Sequence, residues 1–407
     1  MFELENTIDI EKMVLSYNNP TLSKTIKFID DNTISFVVHD NTYRFFRVSL
    51  NSCTVEENEL FYMEDYLLDY MYIGDDIYVA MVADFAPFDE HLVIYRLRGE
   101  DDITLIASLP RASYQHDMGY MCMFNKNGQF RLMIIRHSRL YLYTVDEDLI
   151  DDDMIEGYEK LKEIAYIDGN KWLINQGYAV NIKDKKWELY DRDLNLLKEF
   201  DFSSYHIDWL GITCSLDKSL IAIAGDSADK ETGLLCIYNV KTDEIHTHIQ
   251  RYGFYSLGII NNHVFTSLTS AYSDVGGMEV FDSEATMECA QIKNKAYNID
   301  KFYGPAPLYY QALGIDELND NMGLISTTDK LFITDISCKV LQELPFITYE
   351  EYALSDNRNT LVMLRYNKEY RTKQMVSLDI YKWSGTKQKK GSKSKADILD
   401  IKSIHRD

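Results

Sequence analysis

The sequence predicts an all-β protein, a single β-propeller of eight four-stranded blades, from a repeated motif and from its spacing. The motif is an apolar run that ends in an aromatic residue and is followed by a small polar or charged residue. Its anchor positions are Phe46, Tyr95, Tyr143, Tyr190, Tyr238, Phe281, Thr334 and Tyr381. The anchors are 49, 48, 47, 48, 43, 53 and 47 residues apart, close to the roughly 40 to 50 residues of a propeller blade. Such repeats cannot bury their apolar faces alone, so each must stack on its neighbours.

A polar turn precedes each anchor by roughly fifteen to twenty residues and predicts a hairpin between two strands. These turns are rich in Asp, Asn and Gly, as in Asn127-Gly128 and Asn261-Asn262. Each is followed by a β-prone run, such as Thr33 to Val38 or Leu220 to Ala224. The two strands before each anchor motif therefore form its first hairpin.

A further alternating segment follows the anchor and predicts the fourth strand of the blade. These segments are residues 54–61, 104–109, 161–167, 196–202, 245–249, 287–292 and 340–346. With the hairpin and the anchor strand, they give four strands in each repeat.

The eighth repeat is one strand short, because the chain after Trp383 is rich in Lys, Ser and Gly and has no apolar period. Near the start, the alternating segment 8–15 belongs to no repeat. An open sheet edge exposes unpaired backbone groups. We therefore predict that the N-terminal strand completes the last blade and closes the ring, giving a propeller over residues 1–383 and a basic, disordered tail over 384–407. Because Thr334 is the weakest anchor, a seven-bladed ring is the alternative.

In architecture the chain resembles the WD40-like β-propeller superfamily over about residues 8–383. It departs from the WD40 sequence pattern, because no repeat ends in Trp-Asp and none opens with Gly-His. The resemblance therefore implies the fold and no particular set of buried or functional residues.

Composition and cysteine usage point to a folded cytoplasmic protein. Hydrophobic residues make up 46% and aromatic residues 13% of the chain, enough for a large core, while six prolines leave the turns to Asn, Asp and Gly. The first ten residues are acidic, unlike a secretory leader, and no apolar run is long enough to span a membrane. The six cysteines have no Cys-x-x-Cys spacing, so we expect free thiols, no metal and no cofactor.

The net charge is −23, and it is unevenly distributed. The segment after residue 383 has seven basic and three acidic side chains, so residues 1–383 carry −27. A body this acidic repels phosphate backbones, which makes direct binding of nucleic acid by the propeller unlikely. The lysines of the tail could touch an anionic surface, although such a run is more often a solvated chain end.

One end of the predicted propeller is the candidate binding surface. We call it the connection face, because it collects the connections between blades and the loops that join second to third strands. Loops on a rigid scaffold often bind partners, and aromatic residues with a few charges are typical of protein-recognition hot spots. The longest connection is 294–311. The predicted partner-binding residues are Phe88, Tyr114, His116, Tyr272, Asp274, Phe302, Tyr303, Tyr309 and Tyr310. In the alternative interpretation, these rings plug the central channel or cover blade edges.

Signals for chemistry are weak. No nucleophile elbow, phosphate loop or zinc-protease motif is present. His246 and His248 share one face of a predicted outermost strand, where solvent exposure is the ordinary explanation, and a metal would need a third ligand. The acidic stretch 146–153 lacks the glycine and ligand spacing of an EF-hand, so we expect a solvated bulge or short helix on the face opposite the connection face.

These features favour a non-enzymatic protein–protein interaction module, or a subunit of a multiprotein assembly, whose partner has a basic surface. The alternative is a propeller hydrolase or lyase with a carboxylate-lined central funnel. Sequence spacing cannot show whether carboxylates from several blades converge there.

Overall fold

The computed structural model describes residues 1–10, 26–39, 43–61, 66–84, 90–98, 102–110, 121–149, 160–169, 171–175, 177–183, 186–202, 209–226, 232–250, 253–269, 275–294, 299–303, 314–319, 321–327, 330–346, 350–366 and 375–385. Within these residues every regular element is a β-strand. The strands form eight antiparallel sheets. The chain is an eight-bladed β-propeller, which confirms the predicted fold class over the seven-bladed alternative.

The first four blades follow one another along the chain, each with strands in sequence order. Blade 1 contains β2 (Lys27–Asp30), β3 (Thr33–His39), β4 (Tyr43–Ser49) and β5 (Thr54–Phe61). Blade 2 contains β6 (Tyr66–Ile73), β7 (Asp76–Asp84), β8 (Glu90–Arg98) and β9 (Asp102–Pro110). Blade 3 contains β10 (Met121–Lys126), β11 (Gln129–Arg136), β12 (Arg139–Val145) and β13 (Leu161–Asp168). Blade 4 contains β14 (Lys171–Asn175), β15 (Tyr178–Lys183), β16 (Lys186–Tyr190) and β17 (Leu196–Asp201).

The last four blades include two variations on this plan, a fifth strand in blade 6 and the N-terminal strand in blade 8. Blade 5 contains β18 (Trp209–Cys214), β19 (Leu220–Asp226), β20 (Gly233–Asn239) and β21 (Glu244–Gln250). Blade 6 contains β22 (Gly253–Ile260), β23 (His263–Thr269), β24 (Val275–Phe281), β25 (Met287–Asn294) and β26 (Ile299–Tyr303). Blade 7 contains β27 (Gly314–Glu317), β28 (Met322–Ser326), β29 (Lys330–Asp335) and β30 (Val340–Pro345). Blade 8 contains β31 (Glu351–Leu354), β32 (Thr360–Tyr366), β33 (Met375–Trp383) and β1 (Phe2–Asp9).

The ring closes as predicted, by pairing of the N-terminal strand with the last blade. β1 runs antiparallel to β33, from Phe2 opposite Trp383 to Asp9 opposite Ser377. The Phe2 amide donates to the Gln342 Oε1 atom at 2.9 Å, and the Gln342 Nε2 atom donates back to the Phe2 carbonyl at 2.7 Å. Blade 8 is therefore joined to blade 7 through its N-terminal strand as well as through the chain connection.

The position predicted for the closing strand, residues 8–15, was wrong. β1 ends at Asp9, and residues 11–25 lie outside the described part of the chain. An outermost strand buries few side chains, and in β1 only Phe2 and Ile8 are buried. Its apolar alternation is therefore too weak to mark its position in the sequence.

The polar residue after the anchor has a structural role in the hairpin that follows. The Oδ1 atom of Asp191 accepts hydrogen bonds from the amides of Asp193 and Asn195, and between them Leu194 adopts a φ of 60°. The carboxylates of Asp282 and Asp335 do the same in blades 6 and 7. This local capping of backbone amides explains the short acceptor side chain that follows the anchor in these three blades.

The core lies between blades. One apolar cluster joins Ile8 and Leu378 of blade 8 to Ile34 and Phe46 of blade 1. Similar clusters join blade 4 to blade 5 and blade 7 to blade 8. Each sheet is therefore covered on both faces only while its two neighbours are in place.

The fifth strand of blade 6 corrects the expectation that residues 294–311 form a loop. β26 pairs antiparallel with β25, with Ile299 opposite Asn294 and Tyr303 opposite Ala290. The segment adds to the outer edge of the blade, where unpaired backbone groups are available.

Of the residues that the structure describes, none belongs to a helix long and apolar enough to cross a membrane.

Deleting residues 1–10 removes β1 and exposes the edge of β33, so we expect loss of cooperative thermal unfolding or a fall in Tm of roughly 10 °C or more. The matched control is deletion of residues 386–407, which follow the last described residue. Equal Tm values for the two truncated chains would contradict ring closure by β1.

Candidate functional site

Most residues predicted to bind a partner lie outside the described residues. These are Phe88, Tyr114, His116, Tyr272, Asp274, Tyr309 and Tyr310. Phe302 and Tyr303 lie on β26, at the outer edge of blade 6, and not in a loop of the connection face. The expected loop position of these two residues was therefore wrong, whereas the contact of all nine with a partner stays a prediction.

The two ends of the propeller differ in the length of their connections. Segments 10–26, 111–120 and 367–374 join strand ends that lie at the connection face, whereas segment 304–313 ends there but starts from β26, which runs back along β25 toward the opposite end. The opposite end, which we call the hairpin face, joins first to second and third to fourth strands. Its turns are short, as at Gly74–Asp75 and Asn261–Asn262, apart from residues 146–160. The longer connections therefore join strand ends at the connection face more often than at the hairpin face.

The first strand of each blade lies at the centre of the ring, since these strands contact one another around it, as β31 contacts β2 and β14 contacts β18. Lys27 on β2 forms an ion pair with Asp69 on β6, and its Nζ atom also donates to the Tyr70 carbonyl at 2.7 Å. The Lys27 and Asp69 side chains are each about one third exposed. On the other side of β2, the Ile26 amide donates to the Glu351 Oε2 atom at 3.2 Å. We call Lys27, Asp69 and Glu351 the inner-strand charge cluster.

Two tyrosines of β6, the buried Tyr70 and the partly buried Tyr72, support this cluster. The Tyr70 hydroxyl donates to the Ser35 carbonyl at 3.1 Å, and the Lys27 Nζ atom lies 4.7 Å from the centre of the Tyr70 ring. Burial raises the pKa of Tyr70 well above its ordinary value, so the hydroxyl stays protonated. The Tyr72 hydroxyl is 3.1 Å from the Ser35 Oγ atom. Blades 1 and 2 are thus held together at the positions that orient Lys27.

The carboxylates and thiols of the inner strands are the candidate catalytic groups of the central channel. The carboxylates of Asp69 and Glu351 are bonded as described, and Asp316 accepts a hydrogen bond from the Tyr352 hydroxyl at 2.8 Å. Burial raises the pKa values of the Cys122 and Cys214 thiols, which disfavours the nucleophilic thiolate form. These carboxylates serve as acceptors for protein groups. Among the described residues, no three His, Cys, Asp or Glu side chains are grouped as metal ligands.

The acidic stretch begins as a turn on the hairpin face. The Leu149 amide donates to the Asp146 carbonyl at 3.1 Å, and residues 150–159 lie outside the described part. Glu147 contacts Arg96, whose Nη1 atom is 3.4 Å from its carboxylate. Arg96 is fully buried at the junction of blades 2 and 3. No sequence pattern indicates the burial of this residue, because Arg96 occupies the polar position that follows an ordinary anchor.

A buried carboxylate lies between blades 5 and 6. Glu279 on β24 is only 2% exposed and faces blade 5, as does Phe281 two residues later. Opposite it on β23 is the buried Thr266. Within the described structure, neither the Glu279 Oε2 atom nor the Thr266 Oγ1 atom has a hydrogen-bond partner. Desolvation raises the pKa of Glu279 to about 8. The period of two from Phe281 could have predicted this burial.

The two histidines of β21 face the next blade. The His248 ring lies 4.8 Å from the Phe281 ring, and burial lowers the pKa of His248. Solvent exposure was therefore the wrong explanation for His248, which packs against blade 6.

No protein-family model and no curated protein matches the sequence. Among solved structures, the chain is similar to Sqt1 of Saccharomyces cerevisiae, with 8% identity, 91% of this chain and 100% of that chain covered, and a TM-score of 0.44. It is similar to BBS1N in complex with ARL6DN, with 11% identity, 95% and 97% covered, and a TM-score of 0.41. It is also similar to BamB from Moraxella catarrhalis, with 10% identity, 88% and 84% covered, and a TM-score of 0.36. The fold assignment rests on the strand order of this chain.

We expect Glu279 to make the protein less stable as pH rises. The folded-state pKa of about 8 exceeds the ordinary 4.5, so the unfolded chain loses this proton first and stability falls between these pH values. The loss is at most on the order of 5 kcal/mol, at about 1.4 kcal/mol per pH unit. Glu279→Gln should flatten this part of the stability profile in urea unfolding from pH 5 to 9. The control is Glu284→Gln, which changes an exposed carboxylate of the same blade. Parallel profiles for Glu279→Gln and the unmodified protein would contradict the assignment.

Proposed function

We propose that this chain is a non-enzymatic protein–protein interaction module, or a subunit of a multiprotein assembly, that binds its partner through the connection face. The observation that supports this most directly is the difference between the two ends of the ring. One end is closed mainly by short turns, and the other carries most of the long connecting segments. Variable loops on a rigid scaffold are the usual location of recognition.

The residues proposed to contact the partner are aromatic and lie in connections between strands. They include Phe88, Tyr114, Tyr272, Tyr309 and Tyr310. A ring that becomes fully desolvated contributes on the order of 1 to 3 kcal/mol to binding. A few such rings are enough for a specific interface, since a small number of residues supplies most of the binding energy.

The proposed partner has a basic surface. Residues 1–383 carry a net charge of −27, and charge of this size attracts positively charged partners and raises their association rate. The same charge disfavours nucleic acid, whose phosphates would be repelled.

The described inner strands do not favour a hydrolase or lyase. Asp69, Asp316 and Glu351 bond to protein groups. We therefore place the interaction role ahead of the enzymatic alternative.

We further propose a cytoplasmic location, with the basic tail outside the propeller. Cys53, Cys122, Cys214, Cys236 and Cys338 are not disulfide-bonded, as expected in a reducing compartment. The Ser384 amide bonds to the Met1 carbonyl and the Gly385 carbonyl accepts from the Met1 amine, so we propose that the tail begins after Gly385.

We expect the double substitution Tyr309→Ala and Tyr310→Ala to reduce partner capture from a native lysate by roughly fivefold or more, since two rings would be lost from the interface. The matched control is Leu196→Ala with Val340→Ala, which removes exposed apolar side chains at the hairpin-face ends of β17 and β30. Quantitative mass spectrometry would compare the captured proteins at low and high salt.

The proposal requires that the same basic proteins be lost with the tyrosine variant and kept with the control, and that capture weaken as salt screens the charges. Equal capture by the two variants would exclude the connection face as the binding surface.

A further inference from the structure

Blade 5 differs from the other blades at its outer edge. The pairing of β20 with β21 runs without interruption from Gly233 opposite Gln250 to Asn239 opposite Glu244. In each of the other seven blades described here, the corresponding pairing contains a register shift. Such bulges twist an edge and protect it against pairing with another chain. β21 lacks this protection.

The side chains of β21 also lack the usual edge protection. Ile245 and Ile249 are 37% and 51% exposed, and Thr247 between them is exposed on the same side of the strand. No Lys, Arg, Asp, Glu or Pro occurs between Glu244 and Gln250. β21 has its one charged residue, Glu244, at its first position, whereas β1, β5, β13, β17 and β30 have charged residues within the strand, and β9 and β30 end in proline. Uncharged, β-branched edges of this kind favour strand addition.

Strand addition at this location already occurs within the molecule. In blade 6, the fourth strand is covered by β26, which pairs with it in antiparallel orientation. The fold therefore accepts a further strand outside a fourth strand. β21 is hydrogen-bonded to β20 and to no other strand of the described sheets.

The sequence of β21 indicates which strand fits this edge. Residues 245–249 read Ile-His-Thr-His-Ile, the same in both directions. If two copies pair antiparallel about a twofold axis at Thr247, each Ile245 lies opposite Ile249 of the second copy and the two Thr247 residues face each other. Glu244 then lies opposite Gln250, so no like charges meet. Cross-strand pairs between β-branched residues and between threonines are favourable.

We propose that β21 is a self-association edge, through which two copies of this chain pair antiparallel about a twofold axis at Thr247. The interface is isologous and joins the two copies of blade 5 into one continuous sheet. His248 stays packed against Phe281 of blade 6, and Ile245, Thr247 and Ile249 of both copies form a single apolar row. The surface is separate from the connection face, so the two proposals are independent.

The test measures the mass of the full-length chain by sedimentation equilibrium over a range of concentrations. We expect a monomer–dimer equilibrium in the unmodified protein that strengthens with added salt, because each copy carries a net charge of −23. Ile245→Lys with Ile249→Lys places lysines opposite lysines and should raise the dimer Kd by more than about tenfold. The control Ile164→Lys changes a side chain of similar exposure, 46%, on the bulged edge of β13.

A second variant tests the twofold axis directly. Thr247→Cys places two thiols opposite each other, so mild oxidation should give a disulfide-linked dimer faster than it does with Ile164→Cys or with the native cysteines alone. A monomer at all concentrations, a dimer that survives the lysine pair, or equal cross-linking of the two cysteine variants would overturn the proposal. Dimerisation should strengthen with added salt, whereas partner capture should weaken, so the two tests can be distinguished.

Discussion

Burial of both faces of every sheet is the constraint on which the rest of this structure depends. The apolar clusters lie between blades, so a blade that lost one neighbour would expose half of its core. A linear stack always leaves two such faces exposed, and only a ring removes them. The pairing of β1 with β33 completes blade 8 and so closes the ring in which every blade has two neighbours. The bonds between Phe2 and Gln342 connect β1 to blade 7.

Closure also organises the polar groups near the axis. The ion pair of Lys27 and Asp69 and the bond from the Ile26 amide to Glu351 link blades 8, 1 and 2 across β2. Charged side chains at these positions hold neighbouring inner strands in register and remain partly hydrated. Glu279 is the contrasting case, because the junction of blades 5 and 6 buries it fully and shifts its pKa to about 8. The same ring thus provides two very different environments for a carboxylate.

Much of the fold could be predicted from the sequence because its determinants are local. The anchor residues and the Asp or Asn after them define third strands and the hairpins that follow, as the bonds of Asp191 show. The predicted fourth strand 54–61 has the same bounds as β5. β1 was misplaced because only its Phe2 and Ile8 are buried, so its sequence has no clear alternation, and β26 was taken for part of a loop. Their positions depend on an available sheet edge, which no local pattern records.

The candidate site was harder to predict because its contacts join distant parts of the chain. Topology alone places the aromatic connections on one face, but it does not give the side-chain geometry that would show a binding surface. Lys27 and Asp69 are 42 positions apart, and nothing near either residue indicates the other. Arg96 and Glu147 meet in the same way across two blades. The pairing of these charges depends on the neighbouring blade and not on the segment that contains them.

The pairing of β1 with β33 also affects how the ring responds to a pulling force. Phe2 lies opposite Trp383, and the strands are antiparallel, so the two ends of the paired segment leave the sheet at the same point. A force that pulls Phe2 away from Trp383 would break the hydrogen bonds between β1 and β33 one after another, beginning at this pair. The force would not act on all of these bonds at once. A ring closed in this manner resists heat through the cooperativity of its eight interfaces, yet a modest pulling force could open it from one corner.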